Sequence, residues 1–205
     1  MFPHSSQSLS KEDQRSLLEI ARRAIVEAIV HGRAWRPESP QGALAERRGV
    51  FVTLDRRGKL RGCVGQVTLP DPLAQAVAHC ATAAAQNDER FSPVRPEEVA
   101  GLTIEISVLS GFEAILPAQI EIGKHGLMAV RGPLRGILLP QVAAEHRWTP
   151  EHFLRETCDK AGLPEDAWKS PEMQLFGFTA ELFSEAGHHA AAPQSGAHTS
   201  RQGFV

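Results

Sequence analysis

The chain has 205 residues, enough for one sizeable domain or two small subdomains that hide about 70% of the unfolded surface without a disulfide or metal staple. Hydrophobic residues make up 42% and charged residues 22%, which is ordinary for a globular chain and excludes disorder throughout and a fibrous architecture. With 22 Lys and Arg against 24 Asp and Glu the net charge is −2, so the whole surface is no electrostatic trap and specific nucleic-acid binding is not expected.

Ser10 to Gly32 reads as an amphipathic helix, because Leu17, Ala21, Ala24, Ile25 and Ala28 recur at three- and four-residue spacing. Ser10 is its N-cap, Glu12 and Asp13 sit in the first turn, and Gly32 is the stop. Residues 33–48 hold Pro37, Pro40 and Gly42 and form a loop. Val50, Val52 and Leu54 then alternate with Phe51, Thr53 and Asp55, and the turn chemistry of Asp55-Arg56-Arg57-Gly58 leads into a second strand, Lys59 to Leu69, completing a hairpin. Asp71 before Pro72 opens a helix to about Gln86, capped by the Asp71 carboxylate, with small inward residues that allow close approach.

Leu102 to Leu109 alternates as a strand with Leu102, Ile104, Ile106 and Val108 on its apolar face. A hairpin is expected over Leu127 to Leu139, broken by Gly132-Pro133, and a helix from Thr149-Pro150 to Gly162. Met173 to Phe183 closes the core as one aromatic-rich strand, and residues 185–205 are expected to be a flexible tail with little to bury. No helical pattern separates every pair of strands, so the class is α+β, a mainly antiparallel sheet flanked by helices.

The segment Leu60-Arg61-Gly62-Cys63-Val64-Gly65-Gln66 is the least ordinary, since two glycines inside a strand mark a bulge or a close backbone approach. Regular alternation puts Arg61 and Cys63 on one face, where a guanidinium favours the thiolate. Cys63 is therefore either a nucleophile or a small buried hydrophobe. Cys63, Cys80 and Cys158 lie far apart without a Cys-x-x-Cys pair, which argues for free thiols and against a disulfide framework or a zinc ribbon. No histidine pair has metal-ligand spacing, so no metal site and no cofactor are expected.

Six stretches carry a resemblance: Gly49-Val-Phe-Val-Thr-Leu, Leu60-Arg-Gly-Cys-Val-Gly, Arg90-Phe91, Ile104-Glu-Ile-Ser-Val-Leu, Ile122-Gly-Lys-His-Gly-Leu and Leu138-Leu-Pro-Gln-Val. In this order and spacing the chain resembles the AMMECR domain, whose prokaryotic members are called AmmeMemoRadiSam system protein A. The resemblance covers residues 10–184. It implies an α+β fold of a larger and a smaller subdomain with a cleft between them, and genomic company with a Memo-like protein and a radical SAM enzyme. Arg61, Gly62, Cys63 and Gly65 match the domain's motif, while Val64 replaces the usual isoleucine and Gln66 stands where a small hydroxyl residue is common. Lys124 and His125 match its Gly-Lys-His-Gly turn, and Asn87-Asp88-Glu89 departs from the commoner acidic-Asp-Pro form before Arg90.

His125, between Gly123 and Gly126 and beside Lys124, is either a proton carrier or an incidental turn histidine. Glu105 and Ser107 share the polar face of their strand, and if that strand lies near residues 59–67 the carboxylate can hold Arg61, in a site or as a structural ion pair. Residues 31–61 hold eight basic and three acidic side chains, and Arg57, Lys59 and Arg61 are expected to form a ridge toward Cys63 suited to a phosphate or carboxylate. Two readings follow. The first is a cleft-bearing protein that binds a small anionic ligand or a partner segment through Arg61, Gly62, Gly65, Arg90, Glu105, Ser107 and Lys124. The alternative is a cysteine-dependent enzyme using Cys63, with His125 as the second catalytic candidate. The start of the chain lacks signal-peptide features, and no run approaches the roughly 18 apolar residues of a membrane span, so a cytoplasmic protein without a membrane partner is expected.

Overall fold

A computed structural model of the chain describes residues 8–67 and 70–186. These residues divide into a larger unit, residues 8–109 with 181–186, and a smaller one, residues 110–180. The α+β class expected from sequence is the class found. Helix α1 spans Lys11–Ile29, strands β1 and β2 span Val50–Arg56 and Lys59–Gln66, and α2 spans Leu73–Gln86. Strands β3 and β4 follow at Leu102–Leu109 and Glu113–Ala114, then the β5–β6 hairpin at Gly126–Arg131 and Leu134–Leu138. Helices α3 and α4 span Pro140–Glu145 and Pro150–Lys160, and β7 and β8 span Gln174–Phe178 and Ala180–Ser184. The strands form two four-stranded sheets, ordered β2-β1-β3-β8 and β4-β7-β5-β6.

In the larger unit the sheet face bearing Val50, Val52, Leu54, Ile104 and Ile106 packs with α1 and α2 into a core that excludes water almost completely. Ser10 caps α1 as its sequence position indicates: its hydroxyl accepts the Asp13 amide at 3.1 Å and the Asp13 carboxylate accepts the Ser10 amide at 3.0 Å. Asp71 does not cap α2. The first amide of that helix donates to the Glu46 carbonyl at 2.8 Å, and Asp71 faces Arg36 at 3.7 Å instead. The glycines of β2 are there for packing. A Cβ on Gly62 would lie 2.1 Å from the Ala84 carbonyl oxygen of α2, and one on Gly65 would lie 2.2 Å from the Phe51 ring.

In the smaller unit, Leu127, Ile120, Ala143, Phe153 and Leu154 form the core. Gly136 lets α4 approach β6 so closely that a Cβ there would sit 2.4 Å from the Ala161 nitrogen. Trp148 lies stacked between His146 and His152, with ring centroids 4.9 and 5.0 Å away. Helix α3, absent from the sequence reading, starts at Pro140, whose fixed φ suits the first helical position.

The single strand expected over Met173 to Phe183 is two strands in two different sheets. The break falls at Thr179, whose amide donates to the Ser110 hydroxyl and whose carbonyl accepts the Ser110 amide, both at 2.9 Å. Glu185 is bonded rather than loose: its carboxylate accepts from Arg22 and from the Ile104 amide at 2.9 Å. The rest of the expected tail, from residue 187, lies outside the described residues. Among the described residues no helix is long and apolar enough to cross a membrane.

Gly62→Ala forces either α2 or β2 to move, because the added methyl meets backbone rather than a flexible side chain. The expected loss in urea-induced unfolding is about 3 kcal/mol, the upper range for overpacking. A loss below about 1 kcal/mol would mean that α2 slides away freely.

Candidate functional site

Strand β2 is an edge strand, and its irregularity starts with register. Leu54 pairs with Gly62 and Asp55 with Leu60, so Arg61 is the extra residue of a bulge. The alternation expected to place Arg61 beside Cys63 is broken at that point, and the guanidinium is free to take a course of its own. Its Nε and Nη2 donate to the two Glu98 oxygens at 3.2 and 3.1 Å, Nη1 to the Ser92 carbonyl at 2.9 Å, and Nη2 also to the Pro93 carbonyl at 3.3 Å. Glu98, only 4% exposed, also accepts from Arg56 at 2.7 Å and from the Arg95 amide at 2.9 Å. The acidic partner of Arg61 is therefore Glu98 and not Glu105, because β3 pairs with β1 and not with β2. The Arg61 hydrogen bonds foremost, with the Arg95 amide and the charges of Arg61 and Arg56, hold the Glu98 carboxyl at about 2 against the opposing effect of burial.

An edge strand leaves backbone groups unpaired, and here Asp88 and Arg90 take them. The Cys63 amide donates to Asp88 Oδ2 at 2.8 Å, and Arg90 Nη2 donates to the Cys63 carbonyl at 3.4 Å. Arg90 is tied to the same carboxylate through Nε at 2.9 Å and Nη2 at 2.7 Å. Burial pushes the Asp88 carboxyl up, but the Arg90 guanidinium and the Cys63 and Arg90 amides outweigh it, and the group stays below its ordinary value.

Cys63 is half-buried and opposite Thr53, whose hydroxyl donates to Sγ at 3.3 Å. Thr53 in turn pairs with Glu105, and Phe51, opposite Gly65, pairs with Ser107. Burial pushes the Cys63 thiol up; the Thr53 hydroxyl and the Arg90 charge pull it down, and Asp88 and Glu105 oppose them. The balance is a raised value. The cation that the thiol feels is Arg90 rather than Arg61. Of the expected basic ridge, Arg57 lies in the hairpin turn at φ 57°, Lys59 is exposed, and Arg61 is turned onto Glu98.

The smaller unit carries the other candidates. Lys124 is an exposed partner of Glu121 at 2.6 Å, and the Glu121 amide donates to His125 Nδ1 at 3.1 Å. With Nδ1 accepting, the neutral ring carries its proton on Nε2. His125 lines a pocket of about 410 Å³ together with Ser110, Gly111, Glu113, Ala114, Ile115, Gln119, Gly177, Phe178 and Thr179. Gln119 Oε1 accepts the Leu116 amide at 2.9 Å, which leaves its NH₂ group as the free end. Among the described residues His125 Nε2, Gln119 Nε2 and Thr179 Oγ1 take no partner. Leu116, next in sequence to the lining residue Ile115, is 66% exposed, the most exposed large apolar side chain among the described residues.

Cys63, Arg61, Gly62, Gly65, Arg90, Glu105 and Ser107 thus belong to the larger unit, and Lys124 and His125 to the smaller. The sequence reading did not single out Asp88, Glu98 and Thr53, or Glu113, Gln119 and Thr179. A half-buried arginine in an edge strand signals that an acid must be near, but the spacing does not say which one. Among the described residues no group of three or more His, Cys, Asp or Glu side chains is arranged to hold a metal.

A family model described as AMMECR1 matches residues 18–183. A protein of Methanothermobacter thermautotrophicus is 43% identical over 187 residues, covering 87% of this chain and 97% of its own length. Protein TK0174 of Thermococcus kodakarensis is 43% identical over 181 residues, covering 82% of this chain and 88% of its own. Among solved structures, the crystal structure of the uncharacterised protein PH0010 from Pyrococcus horikoshii superposes with a TM-score of 0.78 at 42% identity, covering 83% of this chain and 90% of that one.

The depressed Glu98 carboxyl contributes stability that is fully present above its ordinary value of 4.5 and is lost as pH falls toward about 2. Urea midpoints measured across that window are expected to fall for the wild type and to run flatter for Glu98→Gln. At neutral pH that variant loses roughly 3 kcal/mol, as for a buried ion pair broken on one side. Identical slopes would show that Glu98 is not the titrating group. A second measurement concerns Cys63: alkylation at pH 8 is expected to be at least tenfold slower in the native than in the unfolded chain, and slower still in Thr53→Val. Native labelling as fast as unfolded labelling would reinstate an activated thiolate.

Proposed function

The chain belongs to the AMMECR1 family, and from that premise we propose that it is a binding protein whose smaller unit receives a partner segment, acting with a Memo-like protein and a radical SAM enzyme in a modification pathway. The observation that carries this reading is the pocket beside His125, where two N–H donors and a hydroxyl have no partners among the described residues and the lining residue Ile115 is followed by the exposed Leu116. Unpaired polar groups in a concavity and an exposed apolar side chain on its rim are the parts of a recognition surface.

The cations argue against the small-anion branch of the expectation. Arg61 is paired with Glu98, Arg90 with Asp88 and Lys124 with Glu121, so each of these cations already has a carboxylate partner with which a phosphate or carboxylate ligand would compete. The cysteine alternative finds less support still. A nucleophilic thiol needs a nearby base or a lowered pKa, and Cys63 has a hydroxyl partner, Thr53, and a raised value.

Calorimetric titration of the full chain against the purified Memo-like protein and against the radical SAM enzyme tests the reading. The wild type is expected to bind at least one of them, and Leu116→Glu to weaken that binding about tenfold or more, a change of about 1.4 kcal/mol or larger. Its melting temperature should stay unchanged, since the side chain is mostly in water already. Unaltered affinity in the variant, or no binding by the wild type to either protein, overturns the proposal.

A further inference from the structure

The sheet of the smaller unit, β4-β7-β5-β6, ends on β4. Glu113 lies across from Gly177 and Ala114 across from Phe176, and the Ile115 amide donates to the Leu175 carbonyl at 3.1 Å. In an antiparallel ladder the residues that bond to the neighbouring strand alternate with residues whose backbone groups face away from it. The backbones of Ile115 and Glu113 therefore bond toward β7, and the amide and carbonyl of Ala114 point out of the sheet. Two residues on, the outward Leu116 amide is already filled by Gln119 Oε1 at 2.9 Å, and the Leu116 carbonyl accepts the Gln119 amide. The Gln119 side-chain amide thus stands where a further strand would bring a peptide group. Ala114 itself is exposed, and among the described residues neither its amide nor its carbonyl takes a partner. Asp88 and Arg90 close the edge of β2 at Cys63, and nothing of this kind closes β4 at Ala114.

An outward donor and acceptor on one residue of a strand edge are matched by one residue of an extended segment, which offers its own carbonyl and amide on one side. A helix cannot meet them, because its amides and carbonyls are bonded within it. A segment touching through side chains alone would cover the Ala114 groups without bonding them, at the cost of their desolvation. We infer that the partner segment binds as an added antiparallel strand on β4, its carbonyl accepting from the Ala114 amide and its amide donating to the Ala114 carbonyl. The residue that makes this pair is not proline, whose nitrogen carries no proton. Side chains on either side of it project to the face that bears Ile115, a lining residue of the pocket. There the unpartnered N–H groups of His125 and Gln119 match a side chain that carries an oxygen acceptor. The inference rests on the reading that this part of the smaller unit receives a partner segment, and it states how that segment is held.

The test uses the full chain with the purified Memo-like protein or radical SAM enzyme, whichever the calorimetric titration finds to bind. Ala114→Pro removes the outward amide and puts ring carbons in its place, a change that an edge strand tolerates. It is expected to weaken binding about tenfold or more, as for a hydrogen bond lost with its acceptor left buried, while the melting temperature stays near that of the wild type. Ala114→Ser keeps the amide and should bind more tightly than Ala114→Pro by about that factor. Equal weakening by both variants assigns the contact to the side chain and overturns the added strand. Hydrogen exchange followed by NMR on the wild-type chain gives a second readout that needs no variant to fold. The Ala114 amide is expected to exchange about tenfold more slowly, or slower still, in the complex than in the free chain. Unchanged exchange at Ala114 overturns the inference. If Ala114→Pro binds as the wild type does while Leu116→Glu still weakens the complex, the added strand falls and the docking surface stands. If neither variant changes the affinity, or the wild type binds neither protein, both fall together.

Discussion

The edge of β2 is the constraint on which the larger unit depends. A strand at the end of a sheet must have its outward backbone groups satisfied or shielded, and this one also presses its Gly62 backbone against the carbonyl of Ala84 in α2. The segment after α2 solves the problem with two buried carboxylates. Asp88 takes the Cys63 amide directly, and Glu98 takes the guanidinium of the bulged Arg61. Arginine suits the second task, since its planar fork can hold both Glu98 oxygens and the Ser92 and Pro93 carbonyls together, which an ammonium on a flexible stem cannot. The Arg61-Gly62-Cys63-Val64-Gly65 motif is accounted for residue by residue as packing and sealing: an arginine that pins the following loop, and glycines that admit α2 and the Phe51 ring.

The smaller unit has the opposite character around its pocket. Its glycines also remove side chains, since Gly126 makes room for the Phe178 ring and Gly177 lies against Ile115. Yet two of the polar side chains set around that space are held at one end only. His125 is fixed through Nδ1 and Gln119 through Oε1, and the other end of each has no partner among the described residues. Holding a side chain by one atom while another stays unbonded fixes its orientation in advance, which lowers the ordering needed when something binds. The difference between the units is one of bookkeeping by atom: in the larger unit the candidate cations are used up internally, and in the smaller one donors remain.

What the sequence makes legible follows from range. The helix from Ser10, the β1–β2 hairpin, β3, the β5–β6 hairpin and the Thr149 cap all rest on periodicity or on capping chemistry within a few residues, and all are present. The misreadings concern contacts made across long separations. Residues 173–183 carry one uninterrupted strand pattern, and only the pairing of Thr179 with Ser110 reveals the change of sheet. Asp71 looks like a cap locally, but the Glu46 carbonyl, supplied by a distant loop, occupies the α2 amide. The close backbone approach around Cys63 was readable from its two glycines, whereas Glu98 as the partner of Arg61 was not, since several acids lie at comparable separation. His125 was readable from its flanking glycines. Its pocket was not, because Thr179, 69 positions after Ser110, meets the 110–119 stretch only in the fold.

The electrostatics of Cys63 show why an arginine near a cysteine in sequence is weak ground for a thiolate. A guanidinium lowers a thiol's pKa only through its unbalanced field. Arg61 has left for Glu98, and Arg90, which is close enough to act, is paired at 2.7 and 2.9 Å with Asp88. Seen from the sulfur, a paired cation and anion form a dipole, and the field of a dipole falls off faster with distance than that of a charge. Glu105, one strand further along the row through Thr53, adds a second negative charge. What then remains is desolvation, which always favours the neutral thiol, and a hydroxyl hydrogen bond too weak to reverse it. Burial is thus the chief cause of the quiet thiol, and the carboxylate that seals the Cys63 amide into the fold adds to it by offsetting part of the field of Arg90.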